Sequence, residues 1–216
     1  MALSAEIRAV CSSCWAESSV KVYRSVNADE DPELKEKVKD GSVFIWECPH
    51  CGAHNLTGSD FLYHDPDRKL MVWLLPGKTD SVSESGLEKA AESLDGYTLR
   101  RVDDAGSLVE KVNIFDAGLD DKVVEICKYV TKMELAEKAG DKAEAIMKAV
   151  FRFYRMQGAD NQIVFTFPLD GKMQAVPVGF SIYEDSRGIL GRNPAIAESV
   201  KGFAKVDSDW IALHFR

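Results

Sequence analysis

Polar and apolar residues alternate from Glu6 to Val10, and the run ends at Cys11. A two-residue period places alternate side chains on one face, so this stretch predicts a short strand. Val20, Val22 and Val26 recur on even positions, with Arg24 interrupting them, and predict a returning strand. Asp31-Pro32-Glu33-Leu34 predicts a helix start, because Asp31 can accept free backbone NH groups and Pro32 suits the first helical position. Leu34 and Val38 then share one face, and Gly41 provides the exit. Ser42 to Glu47 carries apolar residues on both sides, which predicts a central strand leading into Cys48. Tyr63 to Asp67 predicts a turn, Lys69 to Leu75 a strand, and Pro76-Gly77 a close to the segment.

The polar, Ser-rich stretch Lys78 to Gly86 reads as a linker, with a short helix over Leu87 to Leu94 after it. Tyr97 to Val102 predicts a strand, and Asp103-Asp104 can cap a helix running to about Phe115. Asp120-Asp121 opens a stronger helix, in which Leu119, Val123, Ile126, Cys127, Val130 and Met133 follow three- and four-residue spacing. A helical pattern over Asp141 to Met147 gives way near Ala149 to aromatic residues that favour strand. Gly158 to Asn161 is a turn, and Asp170-Gly171 is a tight hairpin signal between Gln162–Leu169 and Lys172–Val178, so a three-stranded meander is expected. Asn193-Pro194 starts a last helix to Val200, Phe203 to Val206 is placed to rejoin a sheet, and Trp210 is expected to anchor the end of the sequence.

Four cysteines punctuate the first quarter of this pattern, as Cys11-Ser12-Ser13-Cys14 and Cys48-Pro49-His50-Cys51. Each C-x-x-C pair sets two thiols on one tight turn, and two such turns at strand ends can surround one metal tetrahedrally. Cys11, Cys14, Cys48 and Cys51 are therefore the expected metal ligands, with one structural Zn2+ as the expected cofactor and iron of the same geometry left open. Four thiolates saturate zinc and leave no position for water or substrate, which points to a structural role. The fold class expected is α+β. It comprises a zinc-ribbon-like, mostly-β domain over residues 1–77, followed by a mixed α+β domain over residues 87–216 with an antiparallel sheet. The first is small enough to need a bound metal for its stability, and metal loss should unfold it.

C-P-H-C is also the tetrapeptide of oxidising thioredoxin-fold enzymes, where it opens a helix; Gly52 to Gly58 carries no helical stripe, so that thiol-oxidoreductase reading is the weaker one. His50 and His54 lie beside the thiols but are not needed as ligands, and His64 beside Asp65 reads as part of a capped turn. Cys127 lies on a buried stripe as a small apolar filler, and Asp116, Asp120 and Asp121 read as helix caps more than as a cation site. No phosphate loop, dinucleotide fingerprint, G-x-S-x-G or H-E-x-x-H occurs, so no catalytic role is assigned.

The charge of −8 works against phosphate binding, and residues 1–80 alone hold nine Lys plus Arg against thirteen Asp plus Glu. Nucleic acid is thus a poor expected partner, although zinc knuckles also serve transcription and translation proteins as nucleic-acid-binding ribbons. No run approaches the roughly 20 apolar residues of a membrane span. An odd cysteine count with four in metal spacing fits a reducing compartment, and the first residues lack a secretory pattern; the expected location is the cytoplasm. A protein or small-molecule partner is expected.

The extended pattern Asn27-Ala28-Asp29, Asp31-Pro32-Glu33-Leu34, Val43-Phe44, Cys48-Pro49-His50-Cys51-Gly52 and Leu62-Tyr63-His64-Asp65-Pro66 resembles the bacterial CpXC family, which is named for its paired cysteines and has no established biochemical function. The likeness extends more faintly through Ile114 to Asp121. It implies that Cys11, Cys14, Cys48 and Cys51 are the metal ligands. The first motif departs from the family pattern, with Ser12 where proline is expected and Trp15 where glycine often follows.

Overall fold

A computed structural model describes residues 2–77 and 84–215, apart from the side chains of residues 84 and 85. The chain divides into two compact units, Met1–Val112 with Gly202–Ala204, and Asn113–Lys201 with Lys205–Arg216. The expected linker at Lys78 to Gly86 lies, over residues 78–83, outside the described residues.

In the first unit β1 (Leu3–Val10) and β2 (Glu17–Asn27) form a hairpin, followed by α1 (Pro32–Lys39) and a second hairpin of β3 (Ile45–Glu47) and β4 (His54–Leu56). The chain continues through β5 (Phe61–Asp65), β6 (Leu70–Leu74), α2 (Glu84–Glu92), β7 (Thr98–Val102) and α3 (Ala105–Asp116). Five strands make one mixed sheet in the order β1-β2-β5-β6-β7. β2 pairs with β5, and β6 with β7, in parallel. A parallel pair cannot be joined by a tight turn, so each needs a long crossover. One contains α1 and the β3–β4 hairpin; the other contains α2.

That second crossover carries the chain from β6 to a further strand of the same sheet. Tyr97 to Val102, expected as a strand of the domain over residues 87–216, supplies β7 (Thr98–Val102) at the end of this sheet, within the first compact unit. Ala204 adds a parallel bridge to Arg100, and Ala204 O accepts from Arg101 N at 3.1 Å, so the returning segment joins this sheet as well. Along β5 and β6, Phe61, Tyr63, Asp65, Leu70, Val72 and Leu74 point to a buried face. Met71 and Trp73 point the other way and meet Leu75, Leu87 of α2, Leu99 and Phe203.

Three local expectations for this unit need correction. Ser42–Phe44 forms a 3-10 turn and only Ile45–Glu47 is strand, in a two-stranded ribbon instead of a sheet centre. The tighter winding buries Val43 and Phe44 together, which imitates a strand apolar on both faces. Asp31 occupies the cap position of α1, but its side chain makes no capping hydrogen bond. Tyr63 to Asp65 ends β5, and the turn comes after it at residues 66–69.

The second unit begins within α3 and holds α4 (Asp121–Lys138), α5 (Ala143–Lys148), β8 (Arg152–Gln157), β9 (Gln162–Leu169), β10 (Lys172–Val178), α6 (Phe180–Arg192), α7 (Pro194–Glu198) and α8 (Ser208–His214). Its sheet is the expected antiparallel meander, ordered β10-β9-β8. Asp170 and Gly171 turn it with φ of 52° and 71°, the paired positive angles of a type I′ hairpin. Asp120 caps α4 by accepting from Lys122 N at 2.9 Å. Ile126 and Cys127 of α4, Ile163 and Phe165 of β9, Leu190 of α6 and Trp210 of α8 share one core. The α6 and α8 helices have no counterpart among the elements expected from sequence, and α7, expected as the last helix, is followed by α8 around Trp210.

Candidate metal centre

The two cysteine turns have the same hydrogen-bond plan. In the first, Cys11 N donates to Ala16 O at 3.0 Å and Trp15 N to Cys11 O at 3.0 Å; in the second, Cys48 N donates to Ala53 O at 2.9 Å and Gly52 N to Cys48 O at 2.8 Å. The residue after each second cysteine takes a left-handed backbone, with φ of 61° at Trp15 and 72° at Gly52. Local sequence and hairpin register thus build two copies of one knuckle, on β1–β2 and on β3–β4.

These knuckles face each other. Cys11 Sγ lies 3.7 Å from Cys51 Sγ, Cys14 Sγ lies 3.7 Å from Cys48 Sγ, and all four sulfurs are within 4.8 Å of one another. Metal–sulfur bonds of about 2.3 Å span a tetrahedron whose edges are about 3.8 Å. A disulfide would bring two sulfurs to about 2.0 Å. The sulfurs are therefore spaced as the ligands of one metal ion are, and none of the five cysteines is in a disulfide. The first cysteine of each knuckle, Cys11 and Cys48, is buried with Val20, Val22 and Trp46, while Cys14 and Cys51 are exposed.

Asn55 of β4 links the two knuckles from behind. Its Oδ1 accepts from both Ser12 N and Ser12 Oγ at 2.8 Å, while Nδ2 donates to Ala53 O at 2.9 Å and approaches Cys11 Sγ at 3.6 Å. The side chain is 8% exposed and is saturated by groups from both turns. Sequence reasoning missed Asn55; the available signal was a polar residue four positions after Cys51 at the centre of the short strand that leaves the knuckle. Ser12, the departure from proline, supplies two donors that a proline could not.

Polar groups also grade the thiols. Backbone NH groups of Cys14, and after them Ser13 and the Asn55 amide, outweigh burial and lower the Cys11 thiol to about 6. At Cys14 the Ala16 backbone acts to lower the value but loses to Cys51, burial and the other two thiols, which push it up to about 12. A metal cation that favours every thiolate is the natural counterweight to such crowding.

Other expected residues fall outside this group. His50 and His54 are exposed, and among the described residues the four cysteines form the one cluster of metal-ligating side chains close enough to share an ion. After Cys51 the chain enters β4, a strand, where a thioredoxin-type site would need a helix. His64 Nε2 lies 3.2 Å from Tyr97 Oη, and Asp65 Oδ1 accepts from Arg68 N at 3.1 Å, which caps the turn. Cys127 Sγ lies 3.3 Å from Ser186 Oγ, and burial pushes its thiol up to about 11. Asp120 is the helix cap described above, and Asp121 is buried.

Fold and site together define an α+β protein with a four-cysteine cluster fit to hold a metal ion. Comparison with protein families sharpens this: the model of the family described as CpXC protein matches residues 9–128, and the chain belongs to that family. No curated protein and no solved structure matches the chain.

Proposed function

We propose that Cys11, Cys14, Cys48 and Cys51 hold one structural zinc ion, in a zinc-ribbon-like clamp within residues 1–77, and that the clamped chain is a binding module for a protein or small-molecule partner. The carrying observation is the cluster of four sulfurs, all within 4.8 Å of one another, held by two matching knuckles. Protein sulfur fills every position round such an ion, so its work is to fix the two hairpins in register and not to activate water. The small hydrophobic cluster that Cys11 and Cys48 join supports this reading, because so few apolar residues need reinforcement. A reducing compartment, the cytoplasm, suits five free thiols. Among the described residues no helix is long and apolar enough to cross a membrane.

The test is metal content of protein purified without added metal. About one zinc per chain, with thiols unreactive until a chelator is added, is the expected result. Far less than one metal per chain with reactive thiols overturns the proposal, and iron in place of zinc overturns its metal. Salt-sensitive binding to DNA or RNA would favour a nucleic-acid ribbon instead, against the acidic charge of −8. Insulin reduction abolished by Cys48→Ser would favour a thiol oxidoreductase.

A further inference from the structure

β1 is the end strand of the five-stranded sheet, and its pairing is with β2 alone. Among the described residues no hydrogen bond from another segment reaches its outer backbone edge. An unpaired edge of this length is a template for another strand, and proteins that avoid such pairing block it with proline, inward charges or bulges. Ser4 to Val10 contains no proline, and its inward positions are Ala5, Ile7 and Ala9. The one register shift lies at Leu3/Ser4, at the very start of the strand.

The sequence of this edge is complementary to itself. Alternation places Ser4, Glu6, Arg8 and Val10 on the exposed face. In an antiparallel pair, directly opposed residues share a face. A two-fold axis through Ile7 would set Glu6 of one chain opposite Arg8 of a second copy, and Arg8 opposite Glu6. The same axis sets Ala5 opposite Ala9 and Ile7 opposite Ile7. Sliding by two residues would instead oppose Glu6 to Glu6 or Arg8 to Arg8. Sliding by one would set exposed-face residues against inward-facing ones.

We propose that β1 is a homodimerisation edge, pairing antiparallel with β1 of a second copy about a two-fold axis at Ile7. Glu6 already accepts from Ser19 Oγ at 2.8 Å and stands opposite Lys21 across β2, which fixes its carboxylate on the exposed face for Arg8 of the second copy. The interface is isologous and closes at two chains. It involves none of the cysteines, so it stands apart from the metal reading.

Sedimentation velocity of the full metal-loaded chain over a wide concentration range tests this. The wild type should show a reversible monomer–dimer equilibrium. Arg8→Glu and Glu6→Arg should each weaken it by about tenfold or more, since each converts both cross-chain pairs to like charge. An equimolar mixture of the two variants should recover the dimer, because one variant then carries acidic side chains at both positions and the other basic ones, and both cross-chain pairs regain opposite charge. Circular dichroism and metal content matching the wild type show that the variants are folded, and recovery on mixing is itself a readout that misfolding could not produce. A wild type that stays monomeric to millimolar concentration overturns the proposal. So does an assembly larger than two, a dimer insensitive to both substitutions, or variants that fail to recover on mixing.

Discussion

Trp15 and Gly52 occupy equivalent places in the two knuckles, each donating its backbone NH to the carbonyl of the first cysteine from a left-handed conformation, at φ of 61° and 72°. Glycine adopts that backbone without cost; a residue with a Cβ does not. The first knuckle therefore holds strain that the second lacks. The Trp15 side chain is 76% exposed, so packing in the first unit does little to offset it.

Trp15→Gly should stabilise the folded metal-loaded first unit by about 0.5–1 kcal/mol, the relief of strain exceeding the entropy added to the unfolded chain. Gly52→Ala should destabilise it by about 1 kcal/mol or more. A Cβ at residue 52 would come no closer than 3.8 Å to Glu47 Oε1, so that loss would be conformational and not steric. Urea denaturation followed by the fluorescence of a tryptophan retained in both variants, such as the buried Trp46, checks both signs.

Asn55→Ala removes the acceptor for Ser12 N and Ser12 Oγ and the amide beside Cys11 Sγ. Metal affinity should fall about 10- to 100-fold, the usual effect of losing a group that orients a ligand. Ser12→Ala, which deletes one of the two donors to Asn55, should cost less than Asn55→Ala. Competition against a chromophoric chelator ranks the two.

Asp65 ties α1 to the sheet. Its carboxylate accepts from Lys35 Nζ at 3.0 Å, Tyr63 Oη at 3.2 Å and Arg68 N at 3.1 Å, while only 1% exposed. Burial alone would raise its carboxyl, but Lys35, the Arg68 amide and Tyr63 together hold it below the ordinary value. A folded value below the unfolded one means that the unfolded chain binds the proton more readily. The contribution is then complete above the unfolded value of about 4 and is lost as pH falls through the folded value. Asp65→Asn should cost about 2 kcal/mol at pH 7, and the gap to wild type should narrow in acid. Denaturation midpoints of both proteins across that range measure it.

Cys11→Ser or Cys48→Ser should loosen the first unit, where both thiols also belong to the core with Val20, Val22 and Trp46, and leave the helices of the second unit folded. Amide exchange resolved along the chain reports this directly. Equal loss of protection in α4 and α6 would contradict it.

Much of this was legible because the governing signals are local. The C-x-x-C spacing fixed the knuckles, Asp170-Gly171 the hairpin, Asp120 a helix cap, and the change of period near Ala149 the passage from α5 to β8. What escaped depends on distant partners or on mixed signals. β7 joins β6 across a crossover, a pairing that no residue of Thr98–Val102 announces. Asn55 gains its role only when Ser12, far away in sequence, is brought beside it. The α6 helix buries Tyr183, Ser186 and Leu190 on one face, but Gly188 and Gly191 weaken its helical propensity and Ser186 interrupts the apolar stripe.

X-ray absorption at the zinc edge of the protein as purified tests the central claim most directly. The account predicts a single shell of four sulfurs at about 2.3 Å, with Cys11, Cys14, Cys48 and Cys51 as its source. A shell containing nitrogen or oxygen, fewer than four sulfurs, or no zinc signal would contradict it.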